Sequence, residues 1–182
     1  MDGVAEALII VDFQNDFTPG GALAVADGDA IGERVRELID SGRFDLVVAT
    51  RDWHPPDHGS FAAQGGHWPP HCVAGTPGAE LHAAVPRDRV DVVVDKGTDP
   101  ATEGYSGFEG TGLETLLRER GIDRVTVVGL ATDYCVRATA LDALREGFEV
   151  EIDRAGVRGI EAQAGDVDRA LGDVEAAGGR VS

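Results

Sequence analysis

The sequence predicts an α/β protein with a three-layer, doubly wound, mostly parallel sheet of five or six strands, of the Rossmann-like kind. Short apolar runs rich in β-branched residues alternate with amphipathic helical patterns along the 182 residues. The runs are apolar at consecutive positions, which is typical of strands buried on both faces of a parallel sheet. Helices between successive strands would cover those faces through right-handed connections.

The first two strands and the first helix are predicted near the N-terminus. Residues 7–11 (ALIIV) and 45–50 (DLVVAT) are the strands. Residues 26–42 between them have apolar side chains on one helical face and end at a glycine, which is a common helix stop.

Residues 51–89 break this pattern with a stretch rich in Pro, Gly, His and Trp. At most a short helix is expected at 78–84. An irregular segment of such length inside a compact domain is usually functional or disordered, and the aromatic and histidine content argues against disorder. We therefore expect this segment to line an active site.

The second half of the chain resumes the alternation of strands and helices. Further strands are predicted at residues 90–95, 125–128 and 148–152, with a short sixth strand at 180–182. Helices are predicted after a capping box of Thr111 and Glu114, after an N-cap at Thr132, and over residues 160–177. With no linker and no internal repeat, residues 1–182 are expected to form one domain.

Composition limits the class of partner. The formal net charge of −17 opposes binding to nucleic acid or to an anionic membrane surface, and favours a neutral or cationic small molecule. No apolar run approaches the length of a membrane helix, and the N-terminus lacks a basic signal-peptide region, so a cytoplasmic location is expected. Cys72 and Cys135 occur in dissimilar contexts and are expected to be two reduced thiols. The oligomeric state, monomer or homo-oligomer, stays open.

Four reactive residues follow four different predicted strands. Asp12, Asp52, Lys96 and Cys135 each lie at, or within a few residues of, a strand's carboxyl end. Ligands of open α/β sheets bind outside those ends. These four residues, scattered over more than a hundred positions, are therefore predicted to meet at one edge of the sheet.

Three of these residues suggest nucleophilic catalysis. Cys135 lies in the predicted first turn of a helix, where free amides and the helix dipole favour a thiolate. Asp12 could accept the thiol proton and return it to a leaving group, and Lys96 could stabilise the anions as a fixed positive charge. Each residue alone fits a structural role, as a loop cap, a strand-end lysine or a small buried hydrophobe. Their joint placement favours catalysis.

A second group of residues suggests a metal site. Asp52 and His54 are two apart on an extended segment and so point to the same side, and His71 could complete a set of three ligands. Two histidines and one carboxylate suit a divalent transition metal: zinc first, with iron or manganese as alternatives. Further candidate ligands are His58, His67 and Ser60.

The few aromatic residues concentrate in the same irregular segments. Such side chains form walls for a flat, apolar ligand, or a satellite core beneath long loops. The residues expected to touch a ligand are Phe17, Trp68 and Tyr105, with Tyr134 beside the cysteine.

Sequence blocks along nearly the whole chain resemble nicotinamidases (pyrazinamidases), which are isochorismatase-like cysteine hydrolases. The blocks are LIIVDFQNDFTPGGALAV, TRDWHPPDHGSF, HWPPHCVAGTPGAE, DKG followed by YSGFEG, and VVGLATDYCVRATALDA. The second and third blocks distinguish nicotinamidases from relatives without the metal ligands. One departure is Tyr134, where some members carry histidine.

The resemblance implies a role for each matched residue. Asp12, Lys96 and Cys135 would be the catalytic triad. The metal ligands would be Asp52, His54 and His71, with Ser60 or His58 as a further ligand. An oxyanion hole is expected at the amides of Ala131 and Cys135, next to a cis peptide joining Leu130 and Ala131. The substrate pocket is expected to comprise Phe17, Trp68, Tyr105, Leu130 and Tyr134.

The implied activity is metal-assisted hydrolysis of nicotinamide to nicotinate and ammonia through a thioester on Cys135, in NAD salvage. Pyrazinamide would be a second substrate. Three alternatives stay open: an amidase of the same fold acting on a carbamoyl compound, an isochorismate hydrolase, and a non-catalytic metal-binding or thiol redox module. The metal ligands disfavour the first, the cysteine and the acidic charge disfavour the second, and Asp12 with Lys96 disfavours the third.

Overall fold

The computed structural model describes residues 3–182 and contains one six-stranded sheet with the order β3-β2-β1-β4-β5-β6. All five pairs of neighbouring strands are parallel, which confirms the predicted fold class. The strands are β1 (Glu6–Val11), β2 (Leu46–Asp52), β3 (Val92–Lys96), β4 (Arg124–Leu130), β5 (Glu149–Arg158) and β6 (Arg180–Val181).

Four α-helices cover the sheet in two layers: α1 (Gly32–Asp40), α2 (Leu113–Glu119), α3 (Arg137–Arg145) and α4 (Asp166–Ala176). Alternate residues of β1 separate the two cores. Ile9 packs in one apolar cluster with α2, α3 and α4, and Ile10 packs in the other with α1 and the long irregular segment. Within residues 3–182, every helix is too short or too polar to cross a lipid bilayer.

The sheet reverses its direction of growth at β1, which lies between β2 and β4. Val11, the last residue of β1, is level with Thr50 of β2 and with Gly129 of β4. Such a switch point opens a crevice at the carboxyl ends of the strands. Asp12 and the segment carrying Cys135 leave the sheet on either side of this crevice.

Several predicted helices are shorter in the structure. Residues 26–42 form a 3-10 turn (Gly28–Ile31) followed by α1, because Asp27 adopts a left-handed conformation that interrupts a helix. Only a three-residue turn, Pro77–Ala79, replaces the helix expected at 78–84.

The last predicted helix and the capping box also differ. Helix α4 begins at Asp166 rather than at residue 160, and Gly165 precedes it with a φ of 92°. The cap of α2 is Gly112 and makes no side-chain cap bond. The Thr111 hydroxyl nevertheless accepts from the Leu113 amide, in the first turn of α2, at 3.3 Å, and it also donates to the Gly107 carbonyl. The sequence at 160–165 is compatible with a helix, but hydrogen bonds from its amides to the carboxylates of Asp133 and Glu161 hold it in another conformation.

Strand β5 extends six residues beyond its predicted end at Ile152. The additional residues, DRAGVR, include two arginines and a glycine and so lack an apolar strand pattern. The last two of them, Val157 and Arg158, pair with Gly129 and Leu130 at the end of β4, after a register shift between Val127 and Gly129. This pairing supports the segment from which the cysteine turn leaves the sheet.

Gly129 provides a test of this arrangement. Its φ is +120°, and a Cβ at this position would overlap the carbonyl of Val11. We expect Gly129→Ala to destabilise the protein by about 3 kcal/mol or more, because the β1–β4 pairing must shift. Gly172, inside α4 with open space around its Cα, is the control. Gly172→Ala should stabilise by about 0.5–1 kcal/mol. Thermal and urea unfolding measure the change in the free energy of unfolding in both variants. Equal changes in the two variants would contradict the close approach of Gly129 to Val11.

Candidate active site

The structure brings the four predicted strand-end residues together. Asp12 follows β1, Asp52 ends β2, Lys96 ends β3, and Cys135 lies five residues after β4. All four are buried, with relative exposures between 0% and 6%. The prediction that they converge at one edge of the sheet is confirmed.

Lys96 is the centre of this group and the only lysine in the sequence. Its Nζ lies 2.7 Å from Asp12 Oδ2, 2.6 Å from Asp52 Oδ1 and 3.5 Å from Cys135 Sγ. It also donates to the Gly104 carbonyl at 2.7 Å. Burial opposes its charge, but the two carboxylates outweigh burial and raise the pKa of Lys96 well above its usual range. Lys96 is therefore a fixed positive charge.

Asp12 occupies the position of a general base. Thr50 Oγ1 donates to its Oδ1 at 2.9 Å. Its Oδ2 forms the ion pair with Lys96 but has no well-aligned hydrogen-bond donor among residues 3–182. Complete burial raises the pKa of Asp12 to about 6 despite the opposing effect of Lys96. A carboxylate with such a pKa can exchange a proton near neutral pH.

Cys135 differs from the expected thiolate. Its surroundings raise the pKa of the thiol well above the usual range, because burial and the carboxylates of Asp12 and Asp52 outweigh the attraction of Lys96. Burial therefore outweighs the effect of the helix start at Cys135. These surroundings favour the protonated thiol, and attack on a carbonyl would then require transfer of that proton to a base.

The turn carrying Cys135 is a π-helical turn, Thr132–Val136, that leads directly into α3. The peptide bond joining Leu130 and Ala131 is cis, as expected. The amides of Tyr134 and Val136 both donate to the Ala131 carbonyl at 3.1 Å. Among the described residues, no carbonyl outside the turn accepts from the amide of Ala131 or Cys135.

Thr132 is not the N-cap that the sequence predicted. Ala131 occupies the cap position, and there is no side-chain cap bond. The hydroxyl of Thr132 is buried without a hydrogen-bond partner in the described part of the chain. The wider π-helical turn moves this hydroxyl away from the amides that it would cap in an α-helix.

Asp52, His54 and His71 form a compact donor set. One donor atom from each lies within 4.8 Å of the others. His54 Nε2 and His71 Nε2 are 3.3 and 3.8 Å from Asp52 Oδ2. The opposite ring nitrogens lie 2.7 Å from the Gly97 carbonyl and 2.8 Å from the Pro69 carbonyl. Donation to those carbonyls leaves both Nε2 atoms as acceptors, which is the arrangement that metal-binding histidines use.

Electrostatics support this donor set. Burial would raise the pKa of Asp52, but Lys96 and His54 hold it well below its usual range, so the carboxylate is ionised. Burial lowers the pKa of His71 and favours its neutral ring. Burial also lowers the pKa of His54, but the Asp52 carboxylate outweighs this effect and raises it. The set suits a cation that would replace the proton between His54 and Asp52.

Of the further candidate ligands, His58 lies beside this set. His58 stacks on His54 with ring centroids 3.9 Å apart. Both of its ring nitrogens are engaged, with Ser60 Oγ at 2.7 Å and with the Thr102 carbonyl at 2.8 Å. His67 is exposed. His58 and Ser60 therefore support the wall behind the donor set.

A small cavity of about 30 Å³ lies between the two groups of residues. Its lining residues are Phe17, Leu23, Asp52, Trp68, His71, Tyr105, Ala131, Tyr134, Cys135 and Ile160. The Trp68 indole N–H donates to the Tyr105 hydroxyl at 3.1 Å, and the Trp68 ring meets the Tyr134 ring edge-on at 5.3 Å. The cavity is therefore a narrow slot with aromatic walls.

The residues that line the cavity differ in part from those predicted from the sequence. Leu23 and Ile160 line the cavity. Leu23 lies in the first quoted sequence block but was not expected to touch a ligand, and Ile160 lies in none of the blocks. Thr50 could have been found, because it ends a predicted strand beside Asp12. Leu130 was expected in the pocket, but its side chain is fully buried in the core and does not line the cavity.

Cys72 is separate from this chemistry. It is fully buried, and its amide donates to Asp16 Oδ2 at 2.8 Å. Burial raises the pKa of its thiol far above the usual range. Both cysteines are free, as predicted, and Cys72 is a packed thiol.

Comparison with known proteins agrees with the fold. Nicotinamidase from Escherichia coli (strain K12) is 41% identical over 195 aligned positions that span 94% of this chain and 92% of that protein. The crystal structure of pyrazinamidase of Pyrococcus horikoshii in complex with zinc has a TM-score of 0.89 and 51% identity, and covers 97% of this chain and 98% of that chain.

A further solved structure contains a ligand related to the predicted reaction. PnC1 from L. infantum, in complex with nicotinate, has a TM-score of 0.93 and 37% identity, and the match covers 98% of this chain and 92% of that chain. Residues 6–182 match the Isochorismatase domain family. The resemblance found in the sequence is thereby confirmed, and the chain belongs to the isochorismatase family.

Proposed function

We propose that this protein is a nicotinamidase that hydrolyses nicotinamide to nicotinate and ammonia, and also accepts pyrazinamide. The observation that carries the proposal is the joining of two groups of residues by one carboxylate. Asp52 Oδ1 pairs with Lys96 of the Asp12–Lys96–Cys135 group, and Asp52 Oδ2 faces His54 and His71. A cysteine nucleophile and a metal-ligand set therefore open into the same aromatic slot.

Asp52, His54 and His71 would hold one divalent metal ion, and the zinc bound by the Pyrococcus horikoshii relative makes zinc the first choice. When bound, the ion supplies an electrophilic position for the pyridine nitrogen of the substrate. Phe17, Trp68 and Tyr105 would hold the ring by stacking and apolar contact.

The reaction begins at the protonated thiol of Cys135. As its Sγ attacks the carboxamide carbon, its proton passes to Asp12, whose Oδ2 is the oxygen without an aligned donor. Lys96 stabilises the growing negative charge on sulfur. The amides of Ala131 and Cys135 would donate to the oxyanion, and loss of one such donor elsewhere costs about 100- to 1000-fold in rate.

Collapse of this tetrahedral adduct breaks the carbon–nitrogen bond. Asp12 returns its proton to the departing nitrogen, which leaves as ammonia, and a thioester remains on Cys135. Asp12 then takes a proton from water as the water attacks the thioester carbonyl. Nicotinate leaves, the thiol regains its proton, and the product is the acid expected to supply NAD salvage.

A panel of amides tests this assignment against its nearest rival. We expect ammonia release from nicotinamide and pyrazinamide, and little release from carbamoyl compounds, because only the first two carry a ring nitrogen for the metal-ligand side of the slot. Greater activity on a carbamoyl compound than on nicotinamide would favour another amidase of this family. Oxidation of Cys135 without turnover of any amide would favour the redox module.

The ligand assignment is tested separately from catalysis. Loss of a residue that only hydrogen-bonds to a metal ligand typically weakens metal binding by roughly 10- to 100-fold. Asp52→Ala and His71→Ala each remove a proposed ligand itself, so each should weaken zinc binding by more than this. Asp95→Ala is the matched control, because Asp95 is an exposed carboxylate on β3 that pairs with Arg51. Equilibrium dialysis measures affinity, and circular dichroism checks the fold. Zinc affinity unchanged in both folded variants would show that the ion binds elsewhere.

A further inference from the structure

Ile160 forms the cavity wall that the sequence did not predict. It lines the slot together with Cys135, Leu23 and Tyr134, and it packs against the edge of the α1-side core. Ile160 belongs to residues 159–165, which connect β5 to α4 and contain no regular helix or strand. The position of this wall therefore depends on what holds the connection in place.

The connection is held by the cysteine turn itself. Asp133, two residues before Cys135, accepts hydrogen bonds from the amides of Ile160 and Glu161, each at 2.9 Å. Both carboxylate oxygens are used, one for each amide. Such a paired, charge-assisted contact fixes the direction of the backbone as well as its distance.

Two neighbouring features fix the rest of the connection. The Glu161 carboxylate accepts from the amides of Gly165 and Val167, each at 3.1 Å, and so attaches the connection to the start of α4. A Cβ on Gly159 would overlap Val167 and would lie 3.0 Å from Asp133 Oδ1. The backbone thus passes close to Asp133 at a point where a larger residue would not fit.

From these contacts we infer that Asp133 is a positioning residue which, by holding Ile160 against the slot, sets the size of ring that the enzyme accepts. This inference rests on the proposed function. Asp133 couples the apolar wall to the turn that carries the nucleophile, so the ring and the reacting carbon are placed by the same structural unit. Carboxamides with substituents on the ring carbons are excluded by this wall.

Ring-methylated nicotinamides provide the probe. Ile160→Ala should raise kcat/KM for a methylated ring relative to nicotinamide by about 10-fold or more, since one methylene in a pocket discriminates by about 10- to 200-fold. Asp133→Ala should shift the same ratio in the same direction, mainly through KM for nicotinamide. Asp133→Asn keeps one acceptor oxygen and should lie between Asp133→Ala and the wild type.

A double variant separates positioning from a general loss of structure. If Asp133 acts through Ile160, then Asp133→Ala combined with Ile160→Ala should change the ratio no more than Ile160→Ala alone. Asp173→Ala is the control, because this exposed carboxylate pairs with Arg137 at 2.9 Å near the same turn without touching residues 159–165. Asp173→Ala should keep the wild-type ratio of kcat/KM for the methylated ring to kcat/KM for nicotinamide.

Hydrogen exchange tests the contact without any activity. Peptides spanning residues 159–165 should exchange at least about tenfold faster in Asp133→Ala than in the wild type or in Asp173→Ala, because two protected amides lose their acceptor. Unchanged exchange, an unchanged ratio in Asp133→Ala, or additive effects in the double variant would each overturn the inference. If exchange rises as expected but the wild type hydrolyses no amide, the contact stands and the proposed function fails.

Discussion

Replacement of Cys135 with alanine is expected to abolish ammonia release from nicotinamide. Removal of the nucleophile from other hydrolases lowers kcat by about 10⁶-fold, and we expect a loss of at least about 10⁴-fold here. The slot and the metal-ligand set do not depend on the sulfur, so the variant should still bind zinc. Ammonia release and zinc affinity, measured on the same preparation, check both statements.

Cys72 supplies the control for this prediction. It is the second buried free cysteine, and it takes no part in the contacts of Asp12, Lys96 or Asp52. Cys72→Ala should keep kcat within a few-fold of the wild type and leave Cys135 as the only thiol. Equal activity losses in the two variants would indicate damage to folding, and wild-type activity in Cys135→Ala would exclude the thioester mechanism.

The second large effect is expected at Asp12. Its pKa is raised to about 6, chiefly by burial, and a base must be ionised to accept the thiol proton. The value of kcat/KM should therefore fall about tenfold per pH unit as the pH drops below about 6. Asp12→Asn should lower kcat by about 100- to 10⁴-fold. The residual kcat/KM of this variant should not show the fall below about pH 6, which is the acid limb of the pH profile.

Thr50 allows a finer test of the same assignment. Its hydroxyl donates to Asp12 Oδ1 at 2.9 Å and so favours the ionised carboxylate. Thr50→Val removes the donor while keeping the shape of the side chain, and the acid limb should move to higher pH. If the fall of kcat/KM at acid pH occurs at the same pH in Thr50→Val and persists in Asp12→Asn, then a group other than Asp12 causes it.

The strand-end rule explains why most of the site could be predicted from sequence. Parallel strands bring their carboxyl ends to one edge regardless of loop length, so Asp12, Asp52 and Lys96 could be placed together without knowledge of the loops. The pair Asp52 and His54 needed only the alternation of an extended chain. These inferences depend on local periodicity and topology, which a single sequence contains.

The features that were missed depend on tertiary burial. The pKa of Cys135 follows from two carboxylates and the loss of solvent, neither of which a helix-start pattern reveals. Residues 160–165 have a helical pattern, but the carboxylates of Asp133 and Glu161 bind their amides and hold them in a connection. Ile160 reaches the slot only through those contacts, so no local signal could have identified it.

At Lys96, the cost of burying a charge is set against ion pairs with two carboxylates. A buried lysine is ordinarily costly, and this chain uses no other lysine, although it carries a net charge of −17. Two buried carboxylates offset that cost and leave a cation beside the thiol. In the proposed mechanism the charge that would stabilise the sulfur anion is therefore also the charge that links the ends of β1, β2 and β3 through Asp12 and Asp52.

The most direct test of the central claim is ammonia release from nicotinamide by the wild-type protein before chelation, after chelation, and after metal is added back. We expect equimolar nicotinate and ammonia to form, chelation to remove the activity, and zinc, manganese or iron to restore it. Activity that survives complete metal removal would contradict the metal-ligand role of Asp52, His54 and His71. Absence of ammonia release under all three conditions would contradict the proposed function.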